Sequence, residues 1–231
     1  MSTSPIAAMF DRISPKYDHL NHLLSFNIDK LWRRKTAKVV AKSQPKTILD
    51  LATGTADLAI ALAKHNPQTH IVGMDFSEKM LEIGKTKIRK QGHENQIELR
   101  LGNVAALPFD DNSFDAVTVA FGVRNFEELG QGLSEIRRVL KPDGQVVILE
   151  FSMPEEFPMK QLYRFYFKRI LPNIGRLVSK DPNAYTYLPH SVEYFPKPEL
   201  FLQLLSEKGF GNGTKRHLSF GIVTLYETEK Q

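Results

Sequence analysis

The sequence predicts a single α/β domain on a mostly parallel sheet, and three observations predict it. A short apolar strand, Thr47 to Leu51, runs into the tight turn Ala52-Thr53-Gly54-Thr55-Ala56 and then into DLAIALAK, whose apolar residues recur at helical spacing. Strand-like runs at THIVGMD, IELRL, AVTVAF and QVVILEFS alternate with helix-like stretches, the arrangement in which a helix crosses between parallel neighbours. Asp75 closes the second strand 21 positions beyond Gly54, close to the separation at which a cofactor-binding βαβ unit places a ribose-binding carboxylate.

The chain of 231 residues is long enough for one such domain with an appended cap or lid. Its 42% hydrophobic and 25% charged content is that of a soluble globular protein. The absence of Cys excludes disulfides, thiol catalysis and zinc-thiolate sites, and points to a reducing, cytoplasmic setting. The opening MSTSPIAAMFDR has no basic segment followed by an apolar core, so no secretory signal is expected, and no window approaches the ~20 apolar residues of a membrane span. A net charge of +5 permits contact with acidic lipid or nucleic acid without arguing for either. No repeat, P-loop or metal-ligand pattern is legible, so no metal is expected.

Residues 9–42 precede the sheet and read as helical pieces broken at Pro15 and near Asn27. Tyr17, Leu20, Leu24, Leu31 and Trp32 are the expected apolar face of this cap, which also brings Tyr17, Asp18 or Asn21 near the cofactor turn. After Asp75, Ser77 is a ready cap for a helix from Glu78 to Lys90. The third strand alternates as far as Leu101 and then delivers Gly102, Asn103 and Val104 to the same sheet edge. The fourth, Ala116 to Phe121, places Gly122, Arg124 and Asn125 beside them. A helix over Leu129 to Leu140 and a Lys141-Pro142-Asp143-Gly144 turn lead to the fifth strand.

Dinucleotide enzymes bring backbone against a pyrophosphate with G-x-G-x-x-G, and this turn has one glycine. S-adenosylmethionine has adenosine and an amino-acid tail but no phosphate, so a small-residue turn with a carboxylate and a hydroxyl suffices for it. The expected contacts are Gly54 as backbone, Thr55 or Asp50 toward the amino-acid part, Asp75 on the ribose, and Asn103 with the adjacent Val104 N–H on the adenine edge.

Over nearly its full length the chain resembles the ubiquinone/menaquinone biosynthesis C-methyltransferases, a family of class I S-adenosylmethionine-dependent enzymes. The resemblance rests on YDHLNHLLSFNIDKLW at 17–32, DLATGTAD at the turn, GNVAALPF on the adenine side, FGVRN at 121–125 and RVLKPDGQVVILEFS at 138–152. Departures are Asp29 where His is common, Asp143 where Gly is usual, Ala120 in place of a cofactor-touching Ser, and Ala52 and Ala56 where the general pattern has glycines. The resemblance implies a Rossmann-like, seven-stranded sheet with a reversed last strand. It also implies methylation of a ring carbon of a polyprenylated quinol, with demethylmenaquinol favoured over the benzoquinol precursor of ubiquinone. In that chemistry Arg124 lowers the proton affinity of the developing phenolate and acts through a bound water, while Tyr17 and Asn125 orient the ring.

The implied division is a helical cap at 1–42, a cofactor-binding core at 43–152, a lid at 153–196, and a helix and strands at 197–231. Between residues 157 and 180 the lid interleaves aromatics with Lys160, Arg164, Lys168, Arg169, Arg176 and Lys180, which suggests a peripheral contact with anionic membrane. A solvated helix face would have the same composition. His190, beside Pro189, reads as a loop residue with at most a substrate-side role. A helix from about Lys197 to Lys208 and hairpin strands in TKRHLSFGIVTLYETEK close the chain. Two other readings stay open: a methyltransferase of this fold acting at oxygen or nitrogen of a soluble molecule, and a basic, RNA-associated module that holds the cofactor without catalysis. The second expects cations spread as a nucleic-acid track, whereas here they concentrate in the lid, so no nucleic-acid partner is expected. A homodimer is left open.

Overall fold

The structure, a computed structural model, describes residues 5–166, 169 and 182–231. Seven strands form one sheet in the order β3-β2-β1-β4-β5-β7-β6. They are β1 (Thr47–Leu51), β2 (His70–Asp75), β3 (Ile97–Leu101), β4 (Phe114–Ala120), β5 (Leu140–Phe151), β6 (Thr214–Leu218) and β7 (Val223–Glu229). The first five run parallel, and β7 enters antiparallel between β5 and β6. Central strands covered on both faces must be apolar on both, and successive residues duly serve opposite layers. Ile48, Val147 and Leu149 pack toward helices α2 (Ile28–Val40) and α3 (Asp57–His65). Leu49, Leu51, Val146 and Ile148 pack toward α5 (Leu129–Val139).

The helix over Glu78–Lys90, α4, has the expected bounds, and the Ser77 hydroxyl accepts the Met80 N–H at 3.3 Å as its cap. Four local expectations are corrected. Helix α1 (Pro5–Leu24) runs through Pro15 instead of breaking there. The carbonyl of Asp11, which loses the Pro15 N–H, is served by the Ser14 hydroxyl at 3.0 Å. Leu31 is 62% exposed while Trp32 is buried, so the cap's apolar face does not include it. The Lys141–Gly144 segment is no free turn but a bulge in β5, where pairing jumps from Phe114–Leu140 to Ala116–Gln145. Asp143 sits there at φ 60°, a left-handed conformation normally left to glycine. Finally, His190 lies within a helix, α7 (Pro182–Tyr194), and not in a loop.

The break near Asn27 is present, with Phe26 and Asn27 both left-handed at φ 52° and 60° between α1 and α2. Helix α6 (Met159–Phe165) and α7 are the described parts of the lid, and α8 (Pro198–Glu207) ends at Gly209 with φ 82°. Lys168, Arg176 and Lys180 lie outside the described residues. Among the described residues no helix is long and apolar enough to cross a membrane.

The cap is held on the core by charge and not only by packing. Asp11 accepts the Ser77 hydroxyl at 2.5 Å, tying α1 to the start of α4. One turn from the end of α4, the Lys87 ammonium meets Asp18 of α1 at 2.7 Å, Asp57 of α3, and the Thr55 hydroxyl at 3.1 Å. Burial would raise the Asp57 carboxyl, but Arg33 and Lys87 hold it below its usual range. Replacing Lys87 by Met leaves two part-buried carboxylates without their shared cation. The expected cost is about 1–3 kcal/mol in urea unfolding with an unchanged m-value. A loss within experimental error contradicts the cation's role as the clamp.

Candidate active site

The sheet order reverses direction between β1 and β4: the chain leaves β1 toward β2 and later returns to β4 on the other side. This opens a crevice at their carboxyl ends. The turn that floors it is left-handed at Ala52, Gly54 and Ala56, with φ of 51°, 55° and 65°. Two of these residues have a methyl group in a conformation normally left to glycine, so the turn must be held from outside. Asp50 holds it. Its buried carboxylate accepts the hydroxyls of Thr53 at 2.6 Å and Thr118 at 2.7 Å, so it orients the turn. Asp75 holds the other side, accepting the N–H of Gly54 at 2.8 Å and of Ser77 at 2.9 Å. Burial pushes both carboxyls up to about 6, against the hydrogen bonds they accept.

The residues suit an adenosyl group. A Cβ built on Gly54 meets open space, while one on Gly122 would collide with the Ala52 Cβ. The turn therefore exposes bare backbone to the crevice while Gly122 lets the β4 loop close against it. Asp75 lines two small recesses of about 30 and 70 Å³ on either side of the turn. The first also meets Gly54 and Ala120, and the second Gly102, Asn103 and Val104. The Asn103 side-chain carbonyl takes the Ala105 N–H at 2.9 Å, which fixes this loop. Thr55 stands apart: its buried hydroxyl donates to Asp18 at 2.5 Å and meets Lys87, so it serves the cap clamp.

Beyond the turn lies a far larger cavity of about 310 Å³, walled mainly by aromatic and aliphatic side chains from α1, α2, α6 and α7. Phe10, Tyr17 and Phe121 line both this cavity and the recess beside Gly54, so they stand at the boundary of the two. Burial raises the Tyr17 phenol above its ordinary value, against the pull of Arg124 and Arg33, which keeps it a hydrogen-bond donor at neutral pH. Arg124 lines the large cavity and Asn125 the small recesses.

Arg124 has a buried partner that sequence reading did not supply. Its Nη1 pairs with Glu150 at 2.5 Å and donates to the Phe121 carbonyl at 2.6 Å, while Nε donates to Ser191 at 3.2 Å. Glu150 is fully buried behind the cavity wall, so the cation faces the cavity and its counter-ion does not. The available signal was one acid in the otherwise apolar strand ILEF, in step with FGVRN on the next strand. Tyr187 of α7 is a second unexpected member; its hydroxyl donates to Asn125 Oδ1 at 2.9 Å, and its ring lines the cavity. His190 lies outside the cavity walls, exposed and stacked on Tyr194.

Also unforeseen is a meeting of His22, Asp29 and Asp57, whose ligand atoms lie within 4.8 Å of one another. Their charges are already answered: Arg33 pairs with Asp29 at 2.5 Å and Lys87 with Asp57, so the group reads as part of the clamp.

Comparison with known proteins agrees with this geometry. A profile of the ubiE/COQ5 methyltransferase family matches residues 1–230. Over 225 residues the chain is 45% identical to the demethylmenaquinone methyltransferase of Bacteroides fragilis, covering 97% of this chain and 92% of that protein. Over 226 residues it is 46% identical to the ubiquinone/menaquinone biosynthesis C-methyltransferase UbiE of Geobacter sulfurreducens, covering 97% and 88% respectively. In solved structures the fold recurs in an S-adenosylmethionine-dependent methyltransferase from Aquifex aeolicus. The TM-score is 0.60 at 19% identity, covering 80% of this chain and 82% of that one. Another such methyltransferase, from Thermotoga maritima, has a TM-score of 0.66 at 16% identity, covering 97% and 99%.

The raised carboxyl of Asp50 makes a pH test. A buried acid that binds its proton more tightly folded than unfolded contributes stability that is full below about pH 4 and lost as pH rises through about 6. Wild type should therefore lose roughly 2–4 kcal/mol relative to Asp50→Asn between about pH 4 and pH 7. A difference that stays flat in chemical denaturation across that range contradicts the buried-acid assignment.

Proposed function

The chain belongs to the ubiE/COQ5 methyltransferase family and is an S-adenosylmethionine-dependent methyltransferase; from that premise we propose that its acceptor is a polyprenylated quinol, methylated at a ring carbon, with demethylmenaquinol the substrate and menaquinol the product. The observation that supports this most is the placing of a small crevice that holds Gly54 and Asp75 next to a large cavity walled by aromatic and aliphatic groups, with Phe10, Tyr17 and Phe121 shared by both, a space for a flat, apolar ring with an apolar tail. The Bacteroides fragilis relative, by its name, acts on demethylmenaquinone.

When bound, S-adenosylmethionine supplies a methyl group already activated on a sulfonium. What remains for the protein is alignment, exclusion of water and removal of a proton from the acceptor. Gly54 offers backbone, Asp75 accepts ribose hydroxyls, and Asn103 with Val104 meets the adenine edge. Tyr17, which both spaces share, and Asn125 on the crevice side orient the quinol ring, with Tyr187 steering the Asn125 amide. The ring carbon becomes nucleophilic when the hydroxyl loses its proton. Arg124 stabilises the phenolate oxygen while the hydroxyl proton leaves to a water held beside the guanidinium; once the ring carbon holds the methyl, that carbon gives up its own hydrogen to water and the oxygen regains a proton, which restores the aromatic quinol. An always-charged guanidinium is a poor base itself, and Glu150 behind it keeps the cation oriented at little net charge. The aromatic side chains of Phe10, Tyr17 and Phe121, at the boundary of crevice and cavity, keep bulk water from the sulfonium.

The direct test is transfer of labelled methyl to short-tail demethylmenaquinol and, in parallel, to the benzoquinol precursor, both kept reduced. Methylated naphthoquinol is expected, with Arg124→Gln lowering kcat by about 10²–10³-fold at little change in cofactor affinity. No product from either quinol, with cofactor still bound, sinks the quinol assignment and sends the search to soluble acceptors. A second expectation concerns pH. Because the ionised Asp75 is the acceptor, S-adenosylhomocysteine affinity should fall as pH drops below about 6, and Asp75→Asn should bind weakly without that dependence. Calorimetric titration across this range checks both.

A further inference from the structure

The large cavity has a mouth, and the mouth is rimmed by bare apolar side chains. Phe26 (78% exposed), Ile28 and Leu162 line the cavity and face solvent at once. Leu31 lies one turn from Ile28 on α2, and Phe165 one turn from Leu162 on α6, each on the same helix face as its neighbour and both exposed. The fourth side is the β6–β7 turn: Ser219 lines the cavity and accepts the Trp32 indole N–H at 2.9 Å, and Phe220 beside it is 81% exposed. The α6 side is tied on by the Tyr166 hydroxyl, which donates to the Leu24 carbonyl at 2.9 Å.

Two of these residues are held out against local preference. Phe26 sits at φ 52° and Phe220 at φ 59°, a left-handed backbone in which a bulky side chain is an outlier. Scattered exposed apolar residues need no account, but strained phenylalanines on two separate turns around one apolar opening do. The charge beside them is of one sign: the solvent side of α2 presents Lys30, Arg34, Lys35 and Lys38, while the helix's one acid, Asp29, is buried.

We propose that this rim is a membrane-docking surface: Phe26, Ile28, Leu31, Leu162, Phe165 and Phe220 enter the interface of an anionic bilayer, and the α2 cations meet its headgroups. Docked this way, the cavity mouth faces hydrocarbon, and a polyprenyl tail passes from lipid to the site without crossing water. The purpose of the surface rests on the quinol reading above, but its binding to lipid does not. The surface lies at the α1–α2 corner, α6 and the β6–β7 turn, all within the described residues.

The test uses the full chain and a Leu31→Gln/Phe220→Asn double variant, since neither residue lines the cavity and Asn tolerates a left-handed backbone. Wild type is expected to co-sediment with phosphatidylcholine/phosphatidylglycerol vesicles and far less with phosphatidylcholine alone. The double variant should bind the anionic vesicles about ten-fold more weakly. Its turnover of a short-tail quinol in solution should equal wild type, while turnover of a long-tail quinol in vesicles falls with the binding. Unchanged vesicle binding by the double variant overturns the proposal, as does a wild-type dimer that the double variant dissolves, which would make the rim an interface between copies. Equal binding to neutral and anionic vesicles overturns the part given to the cations. Rim-dependent vesicle binding with neither quinol methylated by wild type leaves the docking surface standing and removes the quinol reading.

Discussion

A left-handed turn forced on alanines is the constraint on which the rest of this structure depends. Ala52 and Ala56 adopt φ of 51° and 65° around Gly54, and left-handed backbone costs a residue with a Cβ about 1–2 kcal/mol. Such a turn persists because its surroundings over-determine it. Asp50 gathers two threonine hydroxyls beneath it, Asp75 takes the Gly54 N–H from the side, and the Thr53 N–H reaches the Met74 carbonyl. Both carboxylates are buried at a cost visible in their raised proton affinity. The arrangement costs stability and leaves unobstructed backbone at the carboxyl end of a parallel strand.

The cap makes that crevice into a site. Without α1 and α2 the turn would open directly to water, and Tyr17 would have no fixed relation to it. The clamp of Lys87, Asp18, Asp57 and Thr55 joins α1, α3 and α4 at one point, so the hydroxyl beside Gly54 in sequence is tied to the cap. On the opposite wall, the Arg124–Glu150 pair and the Tyr187–Asn125 hydrogen bond tie the loop after β4 to β5 and α7. The boundary between crevice and cavity is thus built from elements far apart in sequence, and each side is fixed by a hydrogen-bonded or ionic contact of its own.

Some of this was legible beforehand because it is local. The strand period, the spacing of Asp75 from Gly54 and the Ser77 cap all follow from residues within a few turns of one another. The fifth strand from Gln145 onward and the last hairpin were equally plain. Where reading along the chain failed, a second contact decided the matter. Pro15 does not break α1, because Ser14 serves the carbonyl that proline abandons and Asp11 anchors that turn to Ser77. Leu31 is not core, because Trp32 takes the buried position and points to Ser219 and Phe121.

By itself, then, the sequence determined the parallel α/β framework, the turn with its single glycine and the acidic residue opposite it. Hydrophobic periodicity and turn chemistry are short-range and leave direct marks on the order of residues. Only the tertiary structure decided which carboxylate answers Arg124, which cation joins Asp18 to Asp57, and where the cavity opens. Glu150 lies 26 positions from Arg124, and Lys87 lies 69 from Asp18. Ion pairs and cavities over such separations depend on how helices pack across the sheet. No periodicity records that, because the Coulomb and packing terms that select a partner act through space and not along the chain.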